Sequence, residues 1–255
     1  MYLEEFARGA RPRVAAWIPF PTATLLFCFI DLYKCYNKDM LKISPKSLDL
    51  YFECPKCFWQ LKNKNIKRPG QFPYELNLEV DEVLKQEFDY YRKQKKKHPL
   101  LEANNIPGEL FDNQTLLNKW RSKGLTHIEN KVQIYGLIDD IIDFGKGKLA
   151  PFDYKSTGKE LVTITDRFQL QMDLYTYLLE KNGYSTPRKG IMAFYLIDKN
   201  NKFEDKLPFR KEIKIIDTDP TYIGKLFKEV IKFLKTEEPL CHSEECEYGT
   251  WLKTQ

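Results

Sequence analysis

The stretch KVQIYGLIDDIIDFGKGKLAPFDYKSTG, residues 131–158, decides the predicted fold because it has the pattern of a β-hairpin. Residues 131–144 are rich in Ile, Val and Tyr, which favour a strand. The glycines and lysines of residues 145–148 are typical of a turn, and residues 149–155 form the second predicted strand. The Ser-Thr-Gly sequence that follows ends this strand.

The second predicted strand places an acidic and a basic side chain on one face. Side chains alternate between the two faces of a strand, so Asp153 and Lys155 point the same way. Asp139 lies on the neighbouring predicted strand and joins this pair if the register of the hairpin permits. Two carboxylates are suitable ligands for Mg²⁺, and a lysine orients water or offsets negative charge on a phosphate. These residues therefore indicate a site for a divalent cation and a phosphate.

The order of three short motifs points to a known family. The motifs lie on the hairpin and on the helix predicted after it: Gly136-x-x-Asp139, Asp153-Tyr154-Lys155 and Gln171-x-x-x-Tyr175. In order, spacing and predicted secondary structure they resemble the PD-(D/E)XK nuclease superfamily. Within it they are most similar to the RecB-like branch, which includes the CRISPR-associated iron–sulfur exonucleases and the AddAB helicase–nucleases. The resemblance extends over residues 43–246.

The resemblance implies an α/β fold with a restriction-endonuclease-like core, in which helices flank a central mixed β-sheet. It also implies a catalytic site at one edge of that sheet. Asp139 and Asp153 would hold Mg²⁺ or Mn²⁺, and Lys155 would act on the attacking water or on the charge of the phosphate. Gln171 and Tyr175 belong to the same implied site, where they help to hold the active-site strands and the DNA.

A long amphipathic helix is predicted over residues 76–97. In RecB-like nucleases a helix at this place carries a histidine that helps to bind the metal, and this sequence has no histidine there. Asp81 is the predicted substitute, as a further metal ligand. The alternative is a surface acid close to the N-terminus of the helix, where the helix dipole favours a negative charge.

The six cysteines include two close pairs, Cys54-x-x-Cys57 and Cys241-x4-Cys246. In a cytoplasmic protein, such pairs favour a metal over disulfides. Four thiolates bind either a [4Fe–4S] cluster or a tetrahedral Zn²⁺ ion, and in the zinc case His242 could replace one thiolate. The resemblance favours the iron–sulfur cluster, although the related nucleases use one early and three late cysteines. Thiols without a metal are the third alternative.

Residues 1–39 differ in character from the rest of the chain. Residues 14–30 carry no charge, but two prolines interrupt them. We expect residues 1–39 to be an N-terminal extension outside the fold, and residues 40–255 to form the nuclease domain. A membrane anchor and a folded N-terminal segment are the alternatives. Cys28 and Cys35 are assigned no role.

The composition permits a nuclease function. The 255 residues carry a net charge of +5, which allows binding to nucleic acid without requiring it. We predict hydrolysis of DNA phosphodiester bonds with Mg²⁺ or Mn²⁺, in DNA repair, recombination, or phage and CRISPR DNA processing. The resemblance favours an exonuclease, while the sequence leaves endonuclease activity open.

The predicted partners are DNA and a helicase or recombination protein, with no small-molecule substrate and no membrane. The predicted location is the cytoplasm. The alternative function is a catalytically inactive nuclease fold that binds DNA or helps to assemble a complex. The complete Asp/Asp/Lys set favours the enzyme, and the missing helix histidine favours the alternative.

Overall fold

The structure is a computed structural model that describes residues 40–69 and 75–254. The predicted N-terminal extension, residues 1–39, lies outside the described residues, as do Cys28 and Cys35. Within the two described ranges, no helix combines the length and the apolar character that crossing a bilayer requires.

Helices and strands follow one another along the described chain. The helices are α1 (Pro45–Glu53), α2 (Pro55–Asn63), α3 (Glu75–Lys93), α4 (Pro99–Ala103), α5 (Gln114–Lys123), α6 (Asp166–Lys181), α7 (Ile223–Leu234) and α8 (Glu247–Leu252). The strands are β1 (Leu41–Ile43), β2 (Glu109–Leu110), β3 (Leu125–Glu129), β4 (Val132–Gly136), β5 (Asp140–Asp143), β6 (Leu149–Thr157), β7 (Lys189–Ile197) and β8 (Phe209–Asp217). Local sequence explains the first helix: Ser44 caps α1 by accepting a hydrogen bond from the backbone of Ser47, and a proline opens its first turn.

The strands form two sheets. Five strands form the larger sheet in the order β2-β5-β6-β7-β8, and three form the smaller sheet in the order β1-β4-β3. In the larger sheet β6 and β7 are parallel, and the other neighbours are antiparallel. Helix α3 packs against β6, and α6 packs against β6 and β7. The predicted α/β fold, with a central mixed sheet flanked by helices, is therefore confirmed.

The side chains of β6 alternate between two helices. Phe152 and Tyr154 point to one face of the larger sheet, where Phe88 of α3 packs against both rings at centroid distances of 5.2 and 4.8 Å. Asp153 points to the other face, where Gln171 of α6 donates a hydrogen bond to it. The period of the strand thus separates an apolar face from the face that carries the acidic side chain.

Helix α6 lies between the two sheets and is buried over most of its length. Residues 172–179 are all buried. The helix contacts β3 and β4 of the smaller sheet as well as β6 and β7 of the larger one. Because a sheet covers each of two opposite sides, the buried surface of α6 is wider than the single apolar stripe of an amphipathic surface helix.

The predicted first strand of the hairpin, residues 131–144, is two strands that belong to different sheets. Strand β4 pairs with β1 and β3 in the smaller sheet, whereas β5 pairs with β2 and β6 in the larger sheet. Residues 137–139 connect the two sheets. The hairpin is therefore shorter than predicted, and Asp139 lies at the point where β5 begins.

Gly136, the last residue of β4, makes room for the ring of Tyr175. A Cβ atom at this position would lie 2.5 Å from a ring carbon of Tyr175. The Tyr175 hydroxyl then reaches the backbone carbonyl oxygen of Leu137, to which it donates a hydrogen bond of 2.6 Å. The missing side chain of Gly136 thus fixes where α6 meets the connection between the sheets.

We expect Gly136→Ala to destabilise the domain by about 1–3 kcal/mol, because overpacking against a buried ring displaces that ring. In a chain of this size, about 1 kcal/mol lowers Tm by about 2–4 °C. Thermal unfolding followed by circular dichroism measures the change. Gly158→Ala is the matched control, because a Cβ there meets no atom of the described residues within 4 Å. Equal Tm values for the two variants would contradict this role of Gly136.

Candidate functional site

The two predicted catalytic aspartates meet where β5 begins beside β6. Phe152 is the last residue of β6 that pairs with β5, opposite Asp140. Asp153 therefore lies in a part of β6 that pairs with β7 but not with β5. Its side chain is 1% exposed, and the neighbouring Asp139 is half-buried. The pairing of β5 with β6 thus stops at Asp140, whereas β6 continues. Both carboxylates line the gap beside this continuing part of β6.

Burial and mutual repulsion favour a proton on the aspartate pair. Burial raises the pKa of Asp139 to about 7, and the negative charge of Asp153 acts in the same direction. The ammonium groups of Lys155 and Lys85 act in the opposite direction. In the absence of another cation, two carboxylates arranged in this way retain a proton up to about neutral pH.

Lys155 is paired with the buried aspartate of its own strand. Its Nζ lies 2.6 Å from Oδ2 of Asp153. Burial by itself lowers the pKa of Lys155, but the charges of Asp153 and Asp139 outweigh it and raise the pKa above its ordinary value. Lys155 therefore carries its positive charge at neutral pH.

Helix α3 adds Asp81 and a second lysine, Lys85, to the site. Lys85 Nζ lies 2.6 Å from Oδ2 of Asp81 and 3.4 Å from Oδ1 of Asp139. It therefore connects Asp81, the predicted further ligand, to Asp139. Lys85 was absent from the sequence predictions, although its spacing of four from Asp81 places both on one face of the helix.

Gln171 and Tyr175 of α6 hold Asp153 and the connection between the sheets in place. Gln171 Nε2 donates hydrogen bonds to Asp153 Oδ1 at 2.7 Å and to the Tyr175 hydroxyl at 3.1 Å. The Tyr175 hydroxyl in turn donates to the carbonyl oxygen of Leu137. The structure thus brings together six residues that the sequence singled out: Asp81, Asp139, Asp153, Lys155, Gln171 and Tyr175.

A buried ion network behind the site fixes the backbone of Asp139. The next residue, Asp140, is fully buried. Its carboxylate accepts hydrogen bonds from three side chains: Arg92, Arg121 and Tyr154. Arg121 also donates from Nε to the carbonyl oxygen of Asp139 at 2.6 Å. Arg121, one of the residues that neutralise the buried Asp140, therefore also holds the backbone of Asp139.

The network around Asp140 was absent from the sequence predictions, although a local rule points to it. Consecutive residues of a strand face opposite sides, so Asp139 and Asp140 cannot both face the catalytic gap. An aspartate that faces the core requires positively charged partners. Arg92 and Arg121, on helices that precede the strand, are such partners.

The acidic site fits a hard divalent cation such as Mg²⁺ or Mn²⁺. Oδ2 of Asp153 is buried, and the ammonium group of Lys155 lies 2.6 Å from it. Carboxylate oxygens from Asp139 and Asp153, with Asp81 nearby, are the donors that these cations prefer.

A second cluster forms where α2 meets α8. Four donor atoms lie within 4.8 Å of one another, on Cys54, Cys57, His242 and Cys246. Cys54 is the residue that precedes α2, and Cys57 lies in its first turn. Cys246 caps α8, and its Sγ accepts a hydrogen bond from the Gly249 backbone at 3.3 Å. We call these four side chains the Cys/His cluster.

The Cys/His cluster differs from the predicted set of four cysteines. Cys241 is exposed, and its neighbour His242 supplies the fourth donor. Gly249 permits this arrangement, because a Cβ atom there would lie 2.4 Å from the Cβ of His242. The close packing of His242 on α8 therefore leaves Cys241, the residue before it, in contact with solvent.

The mixed sheet and the acidic gap beside β6 define an α/β nuclease core of the restriction-endonuclease type. The family model of the PD-(D/E)XK nuclease superfamily matches residues 58–251. The chain belongs to this superfamily, and the predicted family is confirmed. Its members are nucleases, which hydrolyse phosphodiester bonds and use divalent metals.

Other comparisons add little to the family assignment. The crystal structure of SSO0001 aligns with 88% of this chain and 91% of that chain, at 14% sequence identity and a TM-score of 0.38. A search of the curated proteins found no match. The assignment therefore rests on the family model.

We expect Asp140→Asn to destabilise the domain by about 1–3 kcal/mol, because it removes one of the two carboxylates, Asp140 and Asp89, that pair with the buried Arg92 guanidinium. Urea unfolding at neutral pH measures the change. Asp112→Asn is the matched control, since Asp112 pairs with Lys95 at 3.8 Å in an exposed ion pair. Such a pair contributes at most about 1 kcal/mol. A midpoint of Asp140→Asn as high as that of the control would contradict the role of the network.

In the absence of metal, we expect the wild-type domain to lose stability relative to Asp139→Asn as the pH rises from about 4 to about 7. The unfolded chain releases the Asp139 proton near its ordinary pKa of about 3.9, whereas the folded protein retains it up to about 7. The stability that comes from this bound proton is present at low pH and lost as the pH rises. Tm measured in EDTA across this range tests the prediction, and parallel curves would refute it.

Proposed function

We propose that the protein is a metal-dependent deoxyribonuclease that hydrolyses DNA phosphodiester bonds at the site of Asp139, Asp153 and Lys155. Membership of a nuclease superfamily supports the proposal. The observation that carries it is the convergence of Asp139, Asp153 and Lys155 beside β6, with Asp153 buried and 2.6 Å from Lys155. Two carboxylates that repel each other in one partly buried site are suited to a cation.

Asp139 and Asp153 would hold Mg²⁺ or Mn²⁺, with Asp81 as a further ligand in place of the helix histidine of RecB-like nucleases. The closeness of the two carboxylates supports this role: burial raises the pKa of Asp81, and the charge of Asp139 acts in the same direction. When bound, the cation supplies positive charge to the phosphate and lowers the pKa of a water molecule.

Lys155 would stabilise negative charge on the phosphate. The charges of two aspartates raise its pKa, so it is protonated at neutral pH. A protonated lysine is poorly suited to remove a proton from water, but it is well suited to stabilise negative charge that develops on a phosphate. This property supports charge stabilisation over general-base catalysis.

Gln171 and Tyr175 would act as positioning residues. Gln171 fixes Oδ1 of Asp153, which leaves Oδ2 free of amide contacts. Tyr175 fixes the carbonyl oxygen of Leu137, two residues before Asp139. Through these bonds, α6 would set the distance between the two metal-binding carboxylates.

The RecB-like resemblance supports finer proposals about the biological role. DNA is the proposed partner, together with a helicase or recombination protein, and the net charge of +5 agrees with a nucleic acid substrate. The proposed role is that of a cytoplasmic exonuclease in DNA repair, recombination, or phage and CRISPR DNA processing. The Cys/His cluster would hold a metal centre, either zinc or iron–sulfur.

A non-catalytic subunit that binds DNA or assembles a complex is the second candidate function. One observation favours it: Lys85 already pairs with Asp81 and Asp139, so part of the acidic charge is neutralised without a metal. If Lys85 permanently occupied the position of the metal ion, the fold would stay intact but the protein could not hydrolyse phosphodiester bonds.

A cleavage assay separates the two candidates. We expect the full chain, purified without oxygen, to cleave DNA with Mg²⁺ or Mn²⁺ and to lose this activity in EDTA. Asp153→Ala should abolish cleavage, because it removes the buried metal ligand. Linear and circular DNA, each single- and double-stranded, would distinguish exonuclease from endonuclease activity.

Asp143→Ala is the matched control for this assay. Asp143 lies at the far end of β5, where its carboxylate accepts a hydrogen bond from the turn at Gly145. It should therefore retain cleavage close to the wild-type rate. Cleavage by Asp153→Ala would overturn the proposed site. If the wild type binds DNA equally well with and without EDTA but does not cleave it, the protein is the non-catalytic subunit.

A further inference from the structure

The Cys/His cluster has the dimensions of a single tetrahedral metal site. The Sγ atoms of Cys57 and Cys246 are 3.7 Å apart, and Nδ1 of His242 lies 3.5, 3.2 and 3.8 Å from the three sulfurs of the cluster. Tetrahedral Zn²⁺, with bonds of about 2.3 Å to sulfur and about 2.0 Å to nitrogen, separates two sulfurs by about 3.8 Å and a sulfur and a nitrogen by about 3.5 Å. The observed distances agree with these values.

A four-iron cluster does not fit the same donors. In such a cluster each thiolate binds a different iron atom, so the sulfurs lie about 6 Å apart. Cys57 and Cys246 are much closer than that. The fourth cysteine of the predicted set, Cys241, is exposed and outside the group. The family resemblance implies an iron–sulfur cluster, and the donors of this chain disagree with it.

We propose that the cluster binds one Zn²⁺ ion in a closed structural site with four protein donors: Cys54, Cys57, His242 and Cys246. Three thiolates and one imidazole are a donor set of structural zinc sites. Four protein donors leave no position for water or substrate, so the ion stabilises the fold and takes no part in phosphodiester hydrolysis. The inference concerns residues outside the acidic site and stands whether or not the protein is a nuclease.

The surroundings of the cluster agree with a structural zinc site. Its three cysteines are buried, and the backbone of Gly249 donates to the sulfur of Cys246. Three thiolates exceed the charge of one Zn²⁺ ion by one unit. The guanidinium of Arg68 lies near the cluster, where it pairs with Glu53 at 2.6 Å. The donors and the hydrogen bond to Cys246 thus come from the chain itself.

The ion would join α2 to α8. Hydrogen bonds hold α2 to the segment before α8, among them those from Lys56 Nζ to the carbonyl oxygen of Leu240 at 2.8 Å and from Gln60 Nε2 to Glu238 at 2.7 Å, whereas the cluster reaches α8 itself through Cys246. A structural zinc ion contributes free energy on the scale of the stability of a whole domain. Removal of the ion should therefore release α8 from the rest of the fold.

The metal content of the full chain tests the proposal without reference to activity. We expect mass spectrometry of the elements to find about one zinc ion per chain, and the visible spectrum to lack iron–sulfur absorption. Protein loaded with Co²⁺ should show the intense visible bands of a tetrahedral thiolate site, and added Zn²⁺ should remove them. Stoichiometric iron and sulfide, or a folded wild type that takes up no zinc from an equimolar solution, would overturn the proposal.

Cysteine variants distinguish the two metal centres. Cys241→Ser should keep the wild-type zinc content, because the Cys241 thiol is outside the cluster, whereas Cys57→Ser should lose the ion. If Cys57→Ser does not fold, His242→Cys is the second variant, which keeps zinc and shifts the Co²⁺ bands to those of four thiolates. Loss of the metal in Cys241→Ser, or unchanged Co²⁺ bands in His242→Cys, would refute the assigned donors.

Discussion

Desolvation of Asp153 is the constraint on which the acidic site depends. Burying a carboxylate costs free energy unless charges and dipoles replace the lost water. Lys155 supplies the charge, and Gln171 supplies the dipole. Gln171 reaches the carboxylate because α6 lies between the two sheets, where Tyr175 ties the helix to the connection between them. The position of α6 between the two sheets therefore helps to stabilise the buried charge of Asp153.

The consecutive aspartates Asp139 and Asp140 face opposite sides of the chain and lie in different surroundings. Asp139 faces the gap, where its raised pKa shows how poorly the site tolerates negative charge without a cation. Asp140 faces the core, where two arginines and a tyrosine satisfy it completely. Arg121 contacts both residues and so couples them. A buried network of ion pairs thus supports a neighbouring site in which two carboxylates repel each other.

The sequence predicted what depends on local geometry. Asp153 and Lys155 were placed together because a strand has a fixed period, and the fold class followed from the resemblance to the nuclease superfamily. The division of residues 131–144 between two sheets was missed, because an apolar pattern does not tell which sheet a strand joins. Spacing also could not decide between Cys241 and His242, since an irregular segment has no period that fixes which side chain turns inward.

The Cys/His cluster takes its donors from parts of the chain that are far apart in sequence. On the ribosome, residues 54–57 emerge long before residues 242–246, and every strand of the larger sheet is synthesised between them. Folding during synthesis proceeds from the N-terminal side. Cys54 and Cys57 therefore remain without the other two donors of the cluster while the sheet has time to form. A metal ion that completes the cluster would therefore bind last and hold together a domain that has already folded.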